Sequence, residues 1–416
     1  MPRPFTTRTR LAALLALSPL ATLTALTPPT LAQDKPKVEN PPEVVTSSAG
    51  RLKVETLATL EFPWGMAVLP DGRVLITEKP GRLRVWERGR LSEPLAGVPQ
   101  VVHKSDKDQG GLLDIAIDPD FERTRHVYFS FVEAAETQPK DAAETGDQRF
   151  GDNLDTSDTI VRGGAVARAR LEDTGLTDVE VIWRQTPKTL GRGHFGNRLV
   201  FADDGTLFIT SGERMRFDPA QSLSSNLGKV VRINKDGTLP KDNPFASKDG
   251  ALGDIYSYGH RNILAAAIDP ATSNLWVFEM GPLGGDELNL IRGGKNYGWP
   301  IVCNGDNYAG PQIPDHATQP QYEAPVRSWT PVISPSGAHF YDGRAFPGWR
   351  GSVLVGGLSS MCLVRVTFDG DKVASEERID LQRRVRDVAE SPEDGSLLLL
   401  IDDAKGALVR VTPAGG

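Results

Sequence analysis

Cysteine is the scarcest reactive residue in this sequence: two, Cys303 and Cys362, in 416 residues. They stand apart, outside any CxxC or CxxCH, so neither a cysteine-built zinc site nor a c-type haem attachment is encoded. An exported chain can join such a pair as a disulfide, and the sequence leaves that pairing open. No apolar run after residue 32 is long enough to span a bilayer, which argues against stable membrane insertion. Positive charge is also short. The chain has 47 Lys and Arg against 54 Asp and Glu, a formal charge of −7. Setting aside Arg3, Arg8 and Arg10 of the leader leaves 44 basic against 54 acidic residues, or −10, which speaks against nucleic acid as a partner. No GxSxG elbow is present, so a nucleophilic serine of that type is excluded.

What is present begins with a leader. MPRPFTTRTR is basic, and the apolar stretch after it ends in small residues; 1–32 reads as a secretory signal cut after Ala32, which implies a periplasmic or secreted protein. Residues 33–50 are polar and Pro-rich and read as a flexible lead-in to a single domain, 51–416. In that domain an apolar strand, a turn on Asp, Gly or Pro and a second apolar strand recur. The six copies are MAVLPDGRVLITE (66–78), DIAIDPDFERTRHVYFSF (114–131), LVFADDGTLFITSGE (199–213), AAIDPATSNLWVFEMG (266–281), AHFYDGRAFPGWRGSVLVGG (338–357) and VAESPEDGSLLLLIDD (388–403). Repeated meanders that cannot bury both faces alone predict an all-β, six-bladed β-propeller. A β-sandwich accounts for the strands but not for the recurring turn chemistry. An acidic segment, about 133–159, interrupts the second copy and reads as an inserted surface loop, mobile or lid-forming.

In a propeller, the innermost strands line a channel, and the residues entering them meet at one mouth. Gln109 precedes GGLLDIAID, and His194 precedes FGNRLVF. Arg261 and Asn262 enter the fourth inner strand, and Arg384 and Arg386 begin the sixth. Each has a bland reading: a lone histidine in a loop is usually a turn residue, and arginines at strand ends are usually solvated. Their shared topological place makes them a candidate site. Three arginines and an asparagine suit a planar polyanion, and a neutral histidine beside them can take a hydroxyl proton. The set lacks the clustered ligands of a zinc site. The stretch EMGPLGGDELNLIRGGKNYGWP (279–300), with Asp286 and Glu287, is irregular and oxygen-rich and favours calcium. His260 sits beside Arg261 and could equally pack under it; His103, His126, His316 and His339 read as structural or exposed.

Taken together, these residues resemble the soluble PQQ-dependent sugar dehydrogenases, the glucose/sorbosone dehydrogenase family, and within it the aldose sugar dehydrogenase branch. The matching pieces are PWGMAVLPDGRVLITEKPGRL, QGGLLDIAIDPDF, GHFGNRLVFADDGTLFITSGER, YSYGHRN, EMGPLGGDELNLIRGGKNYGWP and RVRDV, spread in order over most of 60–405. The resemblance implies a six-bladed propeller that oxidises an aldose at C1 to a lactone with PQQ and calcium (Ca2+), electrons passing to an external acceptor, a quinone or redox protein. It implies His194 as the general base as hydride passes to PQQ, and Arg261 with Asn262 on the quinone oxygens. Gln109 falls at the cofactor and substrate edge, Arg384 and Arg386 on the PQQ carboxylates, and Tyr308 near the cofactor. Gly281 and Pro282 are implied carbonyl ligands of one calcium, and the Glu287 carboxylate with a Tyr297 carbonyl is implied for a second. Gly193 and Ser359 depart from the glucose dehydrogenases, which carry Asp and Lys there. Two other functions compete. A calcium-dependent lactone hydrolase would need an Asp, Asn and Glu cage at the channel centre. A non-catalytic sugar- or ligand-binding propeller would tolerate loss of His194 and the arginines.

Overall fold

Each repeat closes its turn with its own aspartate. Asp71, Asp118, Asp204, Asp269, Asp342 and Asp394 each accept the amide two residues further on, at 2.8–3.1 Å. A carboxylate that takes its own chain's N–H fixes a tight reversal, so the apolar runs on either side pair antiparallel. The computed structural model describes residues 36–138, 159–308 and 310–415. The expected signal segment and the greater part of the 133–159 insertion lie outside these residues.

Six antiparallel sheets follow one another along the chain. Their innermost strands are Pro63–Val68, Leu112–Ile117, Gly196–Phe201, Ile263–Ile268, Pro335–Phe340 and Val385–Glu390. Each of these packs on the next, and the sixth on the first, so the ring closes as a six-bladed propeller. Six apolar clusters fill the six blade interfaces. Strand alternation divides the side chains between them. In Val74–Glu78, Val74 and Ile76 join the cluster against blade 6, and Leu75 joins the cluster against blade 2.

The first and last described strands together build the last blade. Gly50–Leu60 pairs with Gly406–Pro413, and Val44–Ser47 adds a fifth strand outside it. The stretch expected as a flexible lead-in is therefore partly sheet. Val45 is buried in the cluster between blades 5 and 6, and Ser48 donates to Glu377. A short outer strand with one buried side chain has too little alternation to be seen in sequence. Cys303 and Cys362 are both buried, and no disulfide joins them. Among the described residues, no helix is long and apolar enough to cross a membrane.

One guanidinium ties the blades together at the channel. Arg198, on the inner strand of blade 3, donates to Leu264 O (2.7 Å, blade 4), Ser336 Oγ (3.4 Å, blade 5), and Arg386 O (2.9 Å, blade 6). Its Nη1 lies 3.0 Å from Asp114 in blade 2 and 3.2 Å from Asp387 in blade 6. Its plane sits 4.1 Å from the Trp64 ring of blade 1. Asp114 also accepts Leu199 N, and Asp387 accepts Met66 N. Burial, opposed by Arg198, pushes Asp114 up to about 6 and raises Asp387 as well.

Candidate active site at the propeller mouth

Every inner strand carries a register shift near its start, between Pro63 and Met66, Leu112 and Ile115, Gly196 and Leu199, Ile263 and Ala265, Ser336 and Ala338, and Val385 and Asp387. A bulge bends a strand and re-aims the residues beside it. The polar residues singled out in the sequence sit at these bent entries.

The His194 loop is held from all sides. His194 has φ 53°, the left-handed region that a side chain adopts at a cost. Its amide donates to Gln109 Oε1 at 2.9 Å. Its carbonyl approaches Gly212 so closely that a Cβ there would strike it, which is why the position must be glycine. Arg214 donates to Gly193 O, Gly191 O and Arg162 O, and Arg216 to Leu190 O. The loop's carbonyls are thus saturated by two buried arginines, and Arg214 also stacks 3.8 Å from the Phe195 ring.

Glu213 completes the histidine. Its Oε1 lies 2.5 Å from His194 Nδ1, while its Oε2 accepts Arg216 N and Phe217 N. A carboxylate only accepts, so Nδ1 carries the proton and Nε2 keeps a lone pair. Burial, with the Arg261 charge behind it, pushes the imidazole below its ordinary value. Burial raises Glu213, but the His194 contact and Arg261 together carry its carboxyl below the usual range. The pair is a neutral histidine on an ionised glutamate, the form a general base needs. The sequence reading missed Glu213, although SGER follows the same hairpin. A carboxylate one strand beyond the histidine was the available signal.

His194, Glu213, Arg261, Pro282, Trp299 and Tyr308 line one hollow. Arg261 is anchored by its backbone on Glu279 and by Nη1 on Met280 O and Gly281 O, each at 2.8 Å. Its Nε, and both amide atoms of the buried Asn262, have no partner among the described residues. Such buried atoms cost free energy until a ligand satisfies them. Across the mouth lies a second cavity of about 380 Å³, lined by Gln109, Trp64, Lys79, Arg384, Arg386 and Asp402. Arg386 is buried, pairs with Asp402 at 2.8 Å, and leaves its Nε without an acceptor. Orphaned arginine and amide groups around an open mouth fit a planar polyanion such as PQQ.

Glu287 and Tyr297 line a narrow hollow of about 10 Å³ with Gly281 and Glu279. Burial, and then the neighbouring Glu279, raise the Glu287 carboxyl, with His316 Nε2 at 3.3 Å. The Tyr297 hydroxyl donates to Leu290 O and accepts from Arg292 N. This leaves its backbone oxygen, not its phenol, to meet a cation. Asp286 holds the loop shut through Gly281 N, Ile333 N and Ser334 N, and burial pushes it up to about 7. Among the described residues no three His, Cys, Asp or Glu side chains cluster as metal ligands, so a cation at Gly281 and Pro282 would rest on backbone oxygens. His260 packs under the rim, between Glu279 and Ser257 and stacked on Tyr297 at 4.6 Å. His316, expected to be structural or exposed, is buried beside Glu287. Ser359 bonds Ser334 at 2.6 Å.

The family model for glucose/sorbosone dehydrogenases matches residues 60–410. Aldose sugar dehydrogenase YliI of Escherichia coli (strain K12) is 39% identical over 362 residues, covering 85% of this chain and 91% of that protein. A crystal structure of a glucose dehydrogenase superposes with a TM-score of 0.77 at 41% identity, over 87% of this chain and 100% of the other. The PQQ-bound aldose sugar dehydrogenase of Streptomyces coelicolor gives a TM-score of 0.66 at 26% identity, over 90% and 99%.

Proposed function

Because this chain belongs to the glucose/sorbosone dehydrogenase family, and so is a sugar dehydrogenase by family, we propose that it oxidises an aldose at C1 to the lactone with PQQ and calcium at the propeller mouth. The observation that carries this reading is the His194–Glu213 pair, set in the hollow that Arg261 also lines. When bound, PQQ supplies a two-electron acceptor and calcium supplies Lewis acidity.

The chain's own groups do the rest. His194 Nε2 takes the proton of the C1 hydroxyl, and Glu213 stabilises the imidazolium that results. Arg261 and Asn262 offer their unpartnered donors to the quinone oxygens. Arg384 and Arg386 grip carboxylates in the larger cavity. Gln109 fixes the His194 amide at the edge shared by cofactor and sugar, and Tyr308 walls the cofactor side. The carbonyls of Gly281 and Pro282 would hold the first calcium. The Glu287 carboxylate and the Tyr297 carbonyl would hold a second, whose charge would relieve the crowding of Glu287 against Glu279. Electrons leave to an external quinone or redox protein, and the leader ending at Ala32 sends the protein out of the cytoplasm.

The mature chain supplied with PQQ, calcium and an aldose is expected to reduce an artificial electron-acceptor dye, with no reduction when any of the three is omitted. Turnover indifferent to PQQ would sink the reading. Arg214→Met is expected to lower kcat about 10²-fold through misplacement of the base, with PQQ affinity, read by titration, unchanged. An unaltered kcat would show that the loop holds itself.

A further inference from the structure

Lys79 is the cation of the mouth that no sequence pattern points to. It follows the second strand of blade 1 and is 5% exposed. Its ammonium donates to Asp108 O at 3.1 Å and lies 4.7 Å from the centre of the Phe62 ring. An ammonium has three N–H bonds, and among the described residues Lys79 makes no ion pair. It lines the cavity of about 380 Å³ with Arg384, Arg386 and Asp402.

The charges of this wall do not balance. Asp402 already accepts from Arg386 at 2.8 Å and lies 3.5 Å from Arg384. Asp108 is held at 2.6 Å by Arg162 in a pair that is itself buried. At the exposed rim, Asp106 and Lys107 contribute one charge of each sign. Leaving Arg384 aside, the buried Lys79 and Arg386 therefore face a single interior carboxylate, Asp402, among the described residues that line the cavity. Burial holds both Lys79 and Arg386 below their ordinary values, as expected of cations short of counter-charge. A ligand carrying several carboxylates restores the balance. An arginine pair from blade 6 and a lysine from the adjacent blade 1 line the same cavity.

On the PQQ reading above, we infer that Lys79 is the third cation of the carboxylate cradle, binding a PQQ carboxylate beside Arg384 and Arg386. The test is a binding titration, not an activity assay. Quenching of tryptophan fluorescence is followed as PQQ, or its trimethyl ester, is added to the mature wild-type chain, Lys79→Met and Lys79→Arg. Lys79→Met is expected to bind PQQ about 10–100-fold more weakly, with Lys79→Arg recovering most of the loss. The ester, which lacks the charges, is expected to bind wild type and Lys79→Met alike. Equal PQQ affinity in the two proteins overturns the role of Lys79. So does an equal loss for PQQ and ester, which would mean that Lys79 only holds Asp108 and Phe62 in place. If Lys79→Met melts below the assay temperature, Lys79→Gln goes through the same cycle. A wild-type chain that binds no PQQ brings down the cofactor reading itself, a result distinct from either of these.

Discussion

His194→Ala is expected to cut turnover by about 10²–10⁴-fold, the usual loss of a general base, while PQQ stays bound. The side chain touches Glu213 through Nδ1 only, so its removal leaves Arg261, Arg384 and Arg386 where they are. Glu213→Gln is expected to give a loss of the same order by a different route. The amide still accepts the Nδ1 proton but no longer carries the charge that stabilises the imidazolium. The pH profile separates the two roles. Burial and Arg261 depress the His194 value, so wild type keeps its base deprotonated to lower pH than a free histidine. The acid limb of kcat/KM should then fall below about pH 6.5. Glu213 raises the His194 value in the wild type. In Glu213→Gln the limb should therefore move lower still, with the plateau reduced. Full turnover in His194→Ala, or an acid limb at or above 6.5, would remove His194 as the base.

Arg198→Met is expected to be the most destabilising single change in the channel, at about 3–5 kcal/mol. It strips the shared cation from Asp114 and Asp387, which are both buried, and frees Leu264 O and Arg386 O. Two like carboxylates would then face each other without a counter-ion. The sign of the pH effect follows. Both acids have folded values raised above the unfolded one, Asp114 to about 6. Their contribution is fully present below the unfolded value, about 3.8, and is lost as pH rises through the folded value. Without Arg198 the folded values rise further. The stability deficit of the variant should accordingly shrink toward pH 4 and widen to pH 7, read by urea unfolding at each pH. A deficit under about 1 kcal/mol at pH 7 would mean that the blades close without this tie.

The repeat was legible because it is local chemistry. A turn aspartate and the alternation of Val74, Leu75 and Ile76 lie within a few residues of each other, and six copies allow counting. The placement of the candidate site was legible where the same position recurs from blade to blade, as for Gln109, His194, Arg261, Asn262, Arg384 and Arg386. Glu213 escaped because its partner lies across a hairpin, and Lys79 because nothing in EKPGRL separates a buried ammonium from a solvated one. Val44–Ser47 escaped because its pairing partner is the next strand and its buried neighbours come from the far end of the chain.

By itself, then, the sequence determined the blade count, the strand and turn order, and the family of residues at the mouth, since each depends on neighbours within about a dozen positions. Only the tertiary structure decided which charges balance. Arg198 meets Asp114 and Asp387 across 84 and 189 positions. Lys79 meets the arginines of the opposite chain end. Burial, which turns these meetings into neutral histidine, raised aspartates and under-compensated cations, exists only once six blades have closed the ring.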